Sequence, residues 1–553
     1  MKLADALLTN QSLLLAILAT VMVFTITHYI RLRRQQCAVC IEGNLVTFSE
    51  FSTVIDKWKI EARLVSQYGC EPPSVLKSKW PLGIDLIVQA FQAANAGHIL
   101  KFFGSMIETH GATFEQNLLG ARGIDTVDPE NIEAILSTQF KDFGLGSRRP
   151  TFFPLLGDGI FTQDGLAWKH SRDMLRPQFM SNRAKTVDQL HQHLDNLMTA
   201  IPNDSPVDLQ QIFFRYTLDT TTSFLFGRSL DTLASEDADD QVSPFAEAFT
   251  VAQDFLAQRG RLGDFYWLIG GRKFRNACKT VHSFVDCVIA AATEARNERA
   301  SGKAVKQLNY VFLDALLEET QDPVALRSTC LNILLAGRDT TACCLSWTFH
   351  LLARNPAVYR RLRSEITQVI GDKAATQEAL KRMPYLHYML KEVLRLYPSV
   401  PVNSRSALRT TTLPRGGGPN GTSPILIRKG EAVGYCAYAM HRRKDLYGAD
   451  ADSFRPERWD VTETENLGRK AGWGYIPFNG GPRTCLGQDF ALLEASLAIV
   501  RIVQKFETIW PVDSDGNSQT TQDSSENCCG DEPQTLTLVL SNARGCWVRL
   551  VAA

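Results

Sequence analysis

The chain has 553 residues, with 59 Lys and Arg against 59 Asp and Glu, 44% hydrophobic and 21% charged residues. That much apolar mass excludes disorder as the main state, and a net charge of zero excludes a nucleic-acid binder working by counterion release. Ten histidines without HExxH or Cys–His ligand spacing argue against a zinc enzyme, and 13 scattered cysteines read as free thiols in a reducing compartment.

Residues 1–10 read as a short lumenal leader and residues 11–30 as a single transmembrane helix. Ala6 to Thr27 carries no charge, and Leu13 to Phe24 is almost wholly apolar, enough to cross a hydrocarbon core at roughly 20 residues. Arg31, Arg33 and Arg34 follow directly, so the positive-inside rule leaves the rest of the chain cytosolic, with the endoplasmic reticulum as the default membrane. A cleaved signal peptide would have a shorter apolar core with its basic residues in front. Residues 31–83 then form a linker, stiffened by Pro72-Pro73 and Trp80-Pro81.

One large domain, 84–553, is expected to be mainly α with small β-sheets. From about 84 to 410 apolar residues recur at helical spacing, as in Phe312-Leu313-Leu316-Leu317 and the long run Leu331 to Leu352, which Asn355-Pro356 ends. Short extended pieces cluster late, at Ile425-Leu426-Ile427, Ala432 to Tyr435 and Leu536 to Leu540, with a turn-rich loop from Arg415 to Gly421. Residues 513–533 are polar without apolar periodicity and read as a mobile surface loop.

The most informative segment is Phe478-Asn479-Gly480-Gly481-Pro482-Arg483-Thr484-Cys485-Leu486-Gly487. Glycines before the cysteine allow close backbone approach to a flat ligand, and Gly487 lets the next helix begin beside it. Arg483 can reach an acidic group on that ligand. A helix starting near Leu486 puts its positive end at the sulfur and favours thiolate. The spacing Phe-x-x-Gly-x-Arg-x-Cys-x-Gly would arise by chance about 0.0002 times in such a chain.

This pattern resembles the haem-binding signature of the cytochrome P450 family, the haem-thiolate monooxygenases, and the resemblance runs from about Gly69 to the end. It implies the cytochrome P450 fold, a non-covalent haem b, and Cys485 as the axial ligand of its iron, where thiolate promotes O–O cleavage. Phe478, Arg483 and Gly487 become cofactor-binding residues by the same resemblance.

Further motifs agree with it. Ala336-Gly337-Arg338-Asp339-Thr340-Thr341 lies inside the long apolar helix, where a Thr can back-bond to a carbonyl and bend the helix. Alone this is equally a polar kink. The resemblance makes Thr340 the residue that bonds dioxygen and Asp339 its link to solvent for proton delivery, while Ala336 in place of Glu implies no ester to haem. Glu392-x-x-Arg395 pairs opposite charges at i,i+3, and Phe454 to Trp459 brings Arg458 as the third member of a structural network. Trp168, Arg172 and Arg405 match residues that hold the haem propionates.

Pro154 to Thr162, Met174 to Phe179, Tyr397 to Asn403, the triple glycine at Gly416 and His441 to Asp445 resemble the fungal alkane- and fatty-acid-hydroxylating subgroup. That implies terminal or near-terminal oxidation of a long apolar chain, with Phe152, Phe153, Val400, Val402 and the Phe255 to Leu268 region lining the pocket. The same chemistry could serve a polyketide, terpenoid or lipopeptide in specialised metabolism; a haem-thiolate isomerase fits less well, because the Asp339-Thr340 pair is intact. With no flavin or nicotinamide module in the sequence, electrons are expected from NADPH-cytochrome P450 reductase. Arg442, Arg443 and Lys444 are either its docking residues or a solvated charge run.

Overall fold

Asp322 opens a 32-residue helix, Pro323–Arg354, by accepting the Val324 N–H at 2.9 Å, with Pro323 in the first turn, where its missing N–H costs nothing. Asn355 ends it and Pro356 begins the next helix, Pro356–Ile370, as the Asn-Pro pair predicts. The computed structural model describes residues 61–180, 183–234, 242–301, 312–460, 471–518 and 529–552. It divides into two units, the second running from Tyr68 to Ala553; residues 61–67 of the first are helical. The expected leader and the 11–30 span lie outside the described residues. Among the described residues no helix is long and apolar enough to cross a membrane.

Two apolar cores share the long helix. Its first half, Leu326 to Leu334, packs with residues of Leu209–Phe226, Val242–Arg261, Arg272–Ala300 and Phe312–Glu319. Phe312, Leu313, Leu316 and Leu317 are all buried there, as their spacing predicts. Its second half, Ala342 to Ala353, packs with Pro384–Leu396, Gln488–Lys505 and the sheets. Ala336 to Thr341 belongs to neither core.

The main sheet has six strands in the order Ser74–Val75, Thr113–Leu118, Ala121–Thr126, Ala432–Cys436, Val402–Ala407, Phe143–Gly144. Strands therefore do not cluster late: the N-terminal hairpin joins the strands at 402–436. Its turn is Leu119-Gly120, both at positive φ (52° and 84°), a two-residue geometry that normally announces itself as Asn-Gly. The folded unit also begins before residue 84, because Ser74 and Val75 pair in parallel with Phe114 and Glu115. The linker expected over 31–83 thus gives up its C-terminal end to the sheet.

Ile425 to Ile427 and Ala432 to Tyr435 are strands as expected. Leu536 to Leu540 is instead a hairpin, Gln534–Leu536 against Leu540–Asn542. Of the loop expected over 513–533, residues 519–528 lie outside the described residues, while 529–533 is tied down: Glu532 accepts from the Tyr397 hydroxyl and the Gly530 N–H, each at 2.9 Å.

Candidate functional site

The cysteine loop is closed by its own backbone. Cys485 N–H donates to the Phe478 carbonyl at 3.0 Å and Thr484 N–H to Gly481 O at 3.0 Å. Asn479 sits at φ 62°, accepting from the Tyr435 hydroxyl at 3.1 Å. Gly481 (φ 64°) admits no side chain, since a Cβ would fall 1.8 Å from Leu136 O; at Gly480 it would fall 2.3 Å from the Trp473 ring. Gly487 differs: a Cβ there meets only Phe179, at an ordinary 3.6 Å, so protein packing does not require that glycine. The helix begins at Gln488, with Gly487 as its N-cap, two residues later than the sequence suggests. Cys485 itself is exposed. Desolvation by the protein around it raises the thiol pKa, while the Gly487 N–H and the Arg172 charge pull it back down.

Four guanidinium groups gather beside this loop. Arg483 Nη2 pairs with Asp164 at 2.6 Å, and its Cζ lies 4.4 Å from the buried Trp168 ring. Arg172, one helical turn on in Gly165–Met180, lies 5.8 Å from that ring. Arg405 is buried on strand Val402–Ala407 and donates to Asn403 Oδ1 at 3.1 Å, which also accepts from Arg148 at 2.6 Å. Among the described residues only Arg483 of the four has an ion pair. Desolvation holds both Arg148 and Arg483 down at about 10; Asp164 opposes this, while neighbouring arginines add to it. An undercompensated cationic cluster of this kind suits a ligand carrying carboxylates, which guanidinium forks bond in pairs. Sequence reading missed Arg148, Asn403 and Asp164. Nothing local separates Arg148 from its neighbour Arg149, which faces Asp158 in an exposed pair.

On the long helix, Thr340 donates its hydroxyl to the Ala336 carbonyl at 2.6 Å, and Ser399 Oγ holds the Thr340 carbonyl at 2.9 Å. The helix runs on unbroken. While the residues around them are buried, Leu335 to Arg338 and Thr340 keep partial exposure. Asp339 does not reach solvent as expected: it is 6% exposed and faces Arg338 at 3.5 Å. Desolvation raises its carboxyl pKa, against the Arg338 charge.

Glu392, Arg395 and Arg458 come together with no exposed surface. Arg395 forks onto Glu392 at 2.9 and 2.8 Å, Arg458 Nε reaches it at 3.2 Å, and Trp459 Nε1 and the Arg455 N–H complete the shell. Burial alone would push the Glu392 carboxyl up; the two guanidiniums hold it below its usual range.

The expected pocket residues are dispersed. Val400 is 40% exposed, directly after Ser399, whose hydroxyl bonds the Thr340 carbonyl, and Val402 packs on the core. Phe152 packs on the other core, whereas Phe153 is 44% exposed with Arg149 over its ring. Arg442 is not part of a solvated charge run: it stacks 3.7 Å from the Tyr438 ring centre, bonds the Leu396 carbonyl and pairs with Asp452. Arg443 is likewise held, by Asp445 and the Val127 carbonyl. Sequence reading gave no sign of Glu494, a buried carboxyl on the helix that follows the cysteine, which accepts from Thr220 at 2.5 Å.

The cytochrome P450 family model matches residues 79–527. A protein named cytochrome P450 from Arthroderma benhamiae is 50% identical over 496 residues, covering 89% of this chain and 94% of the relative. Cytochrome P450 52A5 from Candida maltosa is 49% identical over 416 residues, 72% of this chain and 77% of its own. Cytochrome P450 monooxygenase g430 from a Fusarium species is 45% identical over 468 residues, 81% of each. The family's cofactor is haem, a flat ring with two carboxylates whose iron accepts sulfur. An accessible thiol on a glycine-closed loop, flanked by four arginines with one ion pair among them, is a donor set that fits it. A match over so much of the length, with a donor set of that chemistry, establishes that the chain belongs to the cytochrome P450 family of haem-dependent monooxygenases.

Proposed function

We propose that this monooxygenase is anchored in the endoplasmic reticulum membrane and hydroxylates a long apolar chain, an alkane or a fatty acid, at or near its terminus. One substrate C–H bond, one O2, two electrons and two protons give one alcohol and one water. The electrons come from NADPH through a separate membrane-bound reductase. When bound, the haem supplies the iron centre at which O2 is reductively split.

The observation that carries this reading is Cys485, an accessible thiol ending a loop that tolerates no side chain at Gly481, beside a cationic cluster. Cys485 would supply the sulfur ligand of the haem iron; Trp168, Arg172, Arg405 and Arg483, with Arg148, would hold the propionates; Phe478 and Gly487 would complete the cofactor-binding loop. Glu392, Arg395 and Arg458 are structural, locking the segment 447–459 to the helix Pro384–Leu396.

Thr340 and Asp339 handle the protons. Because the Thr340 hydroxyl hydrogen is committed to the Ala336 carbonyl, its oxygen lone pairs remain free to accept. Asp339, with its raised carboxyl, is the neighbouring group that can hold and release a proton. The Ser399 bond fixes the Thr340 backbone against the segment that carries Val400 and Val402, and Phe152 and Phe153 are assigned to the same apolar lining. Support for the alkyl substrate comes from the subgroup motifs, Pro154 to Thr162 and Tyr397 to Asn403 above all.

The test is absorbance. Reduced, CO-bound protein shows the red-shifted Soret band of thiolate-ligated haem, and Cys485→Ser abolishes it; a variant that keeps the band overturns the ligand assignment. A chain-length series of alkanes and fatty acids then gives substrate-binding spectra. Silence across the series transfers the chemistry to a polyketide, terpenoid or lipopeptide.

A further inference from the structure

Between the two apolar cores, the long helix meets a polar face of the helix Val242–Arg261. Thr250, Gln253 and Asp254 occupy positions i, i+3 and i+4 of that helix and therefore one side of it. Thr250 Oγ1 accepts from Arg338 Nη2 at 3.1 Å. Gln253 is 6% exposed and faces the Asp339 carboxyl. Yet three buried polar atoms at this junction, Gln253 Nε2, Arg338 Nε and Asp339 Oδ1, complete no aligned hydrogen bond among the described residues. Burying a polar atom without a partner is costly, so three of them at one junction call for an explanation, and a catalytic role is one. Asp254, next to Gln253, is exposed and close enough to act electrostatically on both Arg338 and Asp339.

Arg338 is permanently charged, so it can anchor the Asp339 carboxylate but cannot pass a proton to it. A neutral amide can hold the carboxyl in either protonation state, donating through Nε2 or accepting through Oε1. We propose that Gln253 is a positioning residue for proton delivery, its amide holding the Asp339 carboxyl at this junction while Asp254 marks the solvent end of the path. The proposal rests on the reading that Asp339 and Thr340 carry the protons. The titratable and charged groups facing Asp339 are Arg338 and Cys343 on its own helix and Asp254 on the opposite one.

The experiment uses full-length holoenzyme with reductase, NADPH and dodecanoic acid, following NADPH consumption, peroxide and product in H2O and D2O. Asp339→Asn, Gln253→Met, their combination and Gln253→Glu are compared, with the CO spectrum as the check on folding. Gln253→Met is expected to lower kcat about tenfold at unchanged KM and to enlarge the solvent isotope effect, with no further loss in the Asp339→Asn background. Gln253→Glu, a second acid facing Asp339, is expected to move the kcat pH profile upward, which keeps the test readable if Gln253→Met folds poorly. If Asp339→Asn leaves kcat and isotope effect unaltered, the parent reading fails. If it alters them while Gln253→Met does not, or the two losses multiply, or the Gln253→Glu profile stays in place, the role given to Gln253 is overturned.

Discussion

Glu494→Gln is expected to stabilise the protein in a pH-dependent way. Glu494 is 1% exposed in the helix behind the cysteine loop, and desolvation lifts its carboxyl from 4.5 to about 7, against the Thr220 and Thr341 hydroxyls. Between those two values the folded chain keeps a proton that the unfolded chain has lost. Folding stability conferred by this group therefore falls as pH rises from 4.5 to about 7 and then levels off. At ~1.4 kcal/mol per pH unit the penalty reaches ~3 kcal/mol above pH 7. Gln keeps the acceptor that Thr220 bonds and adds a donor near the Tyr216 hydroxyl; among the described residues neither that hydroxyl nor Glu494 Oε2 has a hydrogen-bond partner. The assay is urea unfolding of wild type and variant from pH 5 to 9, read as a difference so that other titrating groups cancel. The variant's advantage should grow by roughly 2 kcal/mol across the lower half of that range, rise by a few tenths more as the folded-state titration completes, and then hold steady. A difference that stays flat refutes the burial argument.

Two further expectations concern structure. Arg395→Ala leaves the fully buried Glu392 carboxylate with one guanidinium instead of two, and should cost about 3–5 kcal/mol in urea unfolding, with poor haem retention. Gly481→Ala and Gly487→Ala should separate sharply. The first combines a positive φ with a 1.8 Å clash against Leu136 O and should cost about 2–6 kcal/mol; the second should leave the haem-free protein about as stable as wild type, so any defect appears in haem affinity alone. Equal destabilisation of the haem-free protein by both would refute the contact analysis.

Local chemistry made much of the fold legible. The Asn355-Pro356 stop, the helical run Leu331 to Leu352 and the strands at 425–427 and 432–435 follow from backbone restriction and periodicity, which need no partner to be read. The hairpin at Leu119-Gly120 was hidden because a leucine occupies the positive-φ position, and only the sheet around it holds that conformation. Leu536 to Leu540 looked like a strand by composition; its fold into a hairpin is fixed by Leu540, whose N–H bonds Ser399 and whose carbonyl takes the Trp347 indole.

The sequence by itself singled out the candidate centre: Cys485, its glycines, Arg483, and the Asp339-Thr340 pair are short-range patterns that can be read from spacing alone. Tertiary structure alone decided who surrounds them. Arg148 meets Asn403, and through it Arg405, across 255 residues of chain, Glu494 meets Thr220 across 274, and Gln253 faces Asp339 from another helix. Such long-range neighbours leave no local trace, because desolvation and charge pairing depend on distance in space and not on distance along the backbone.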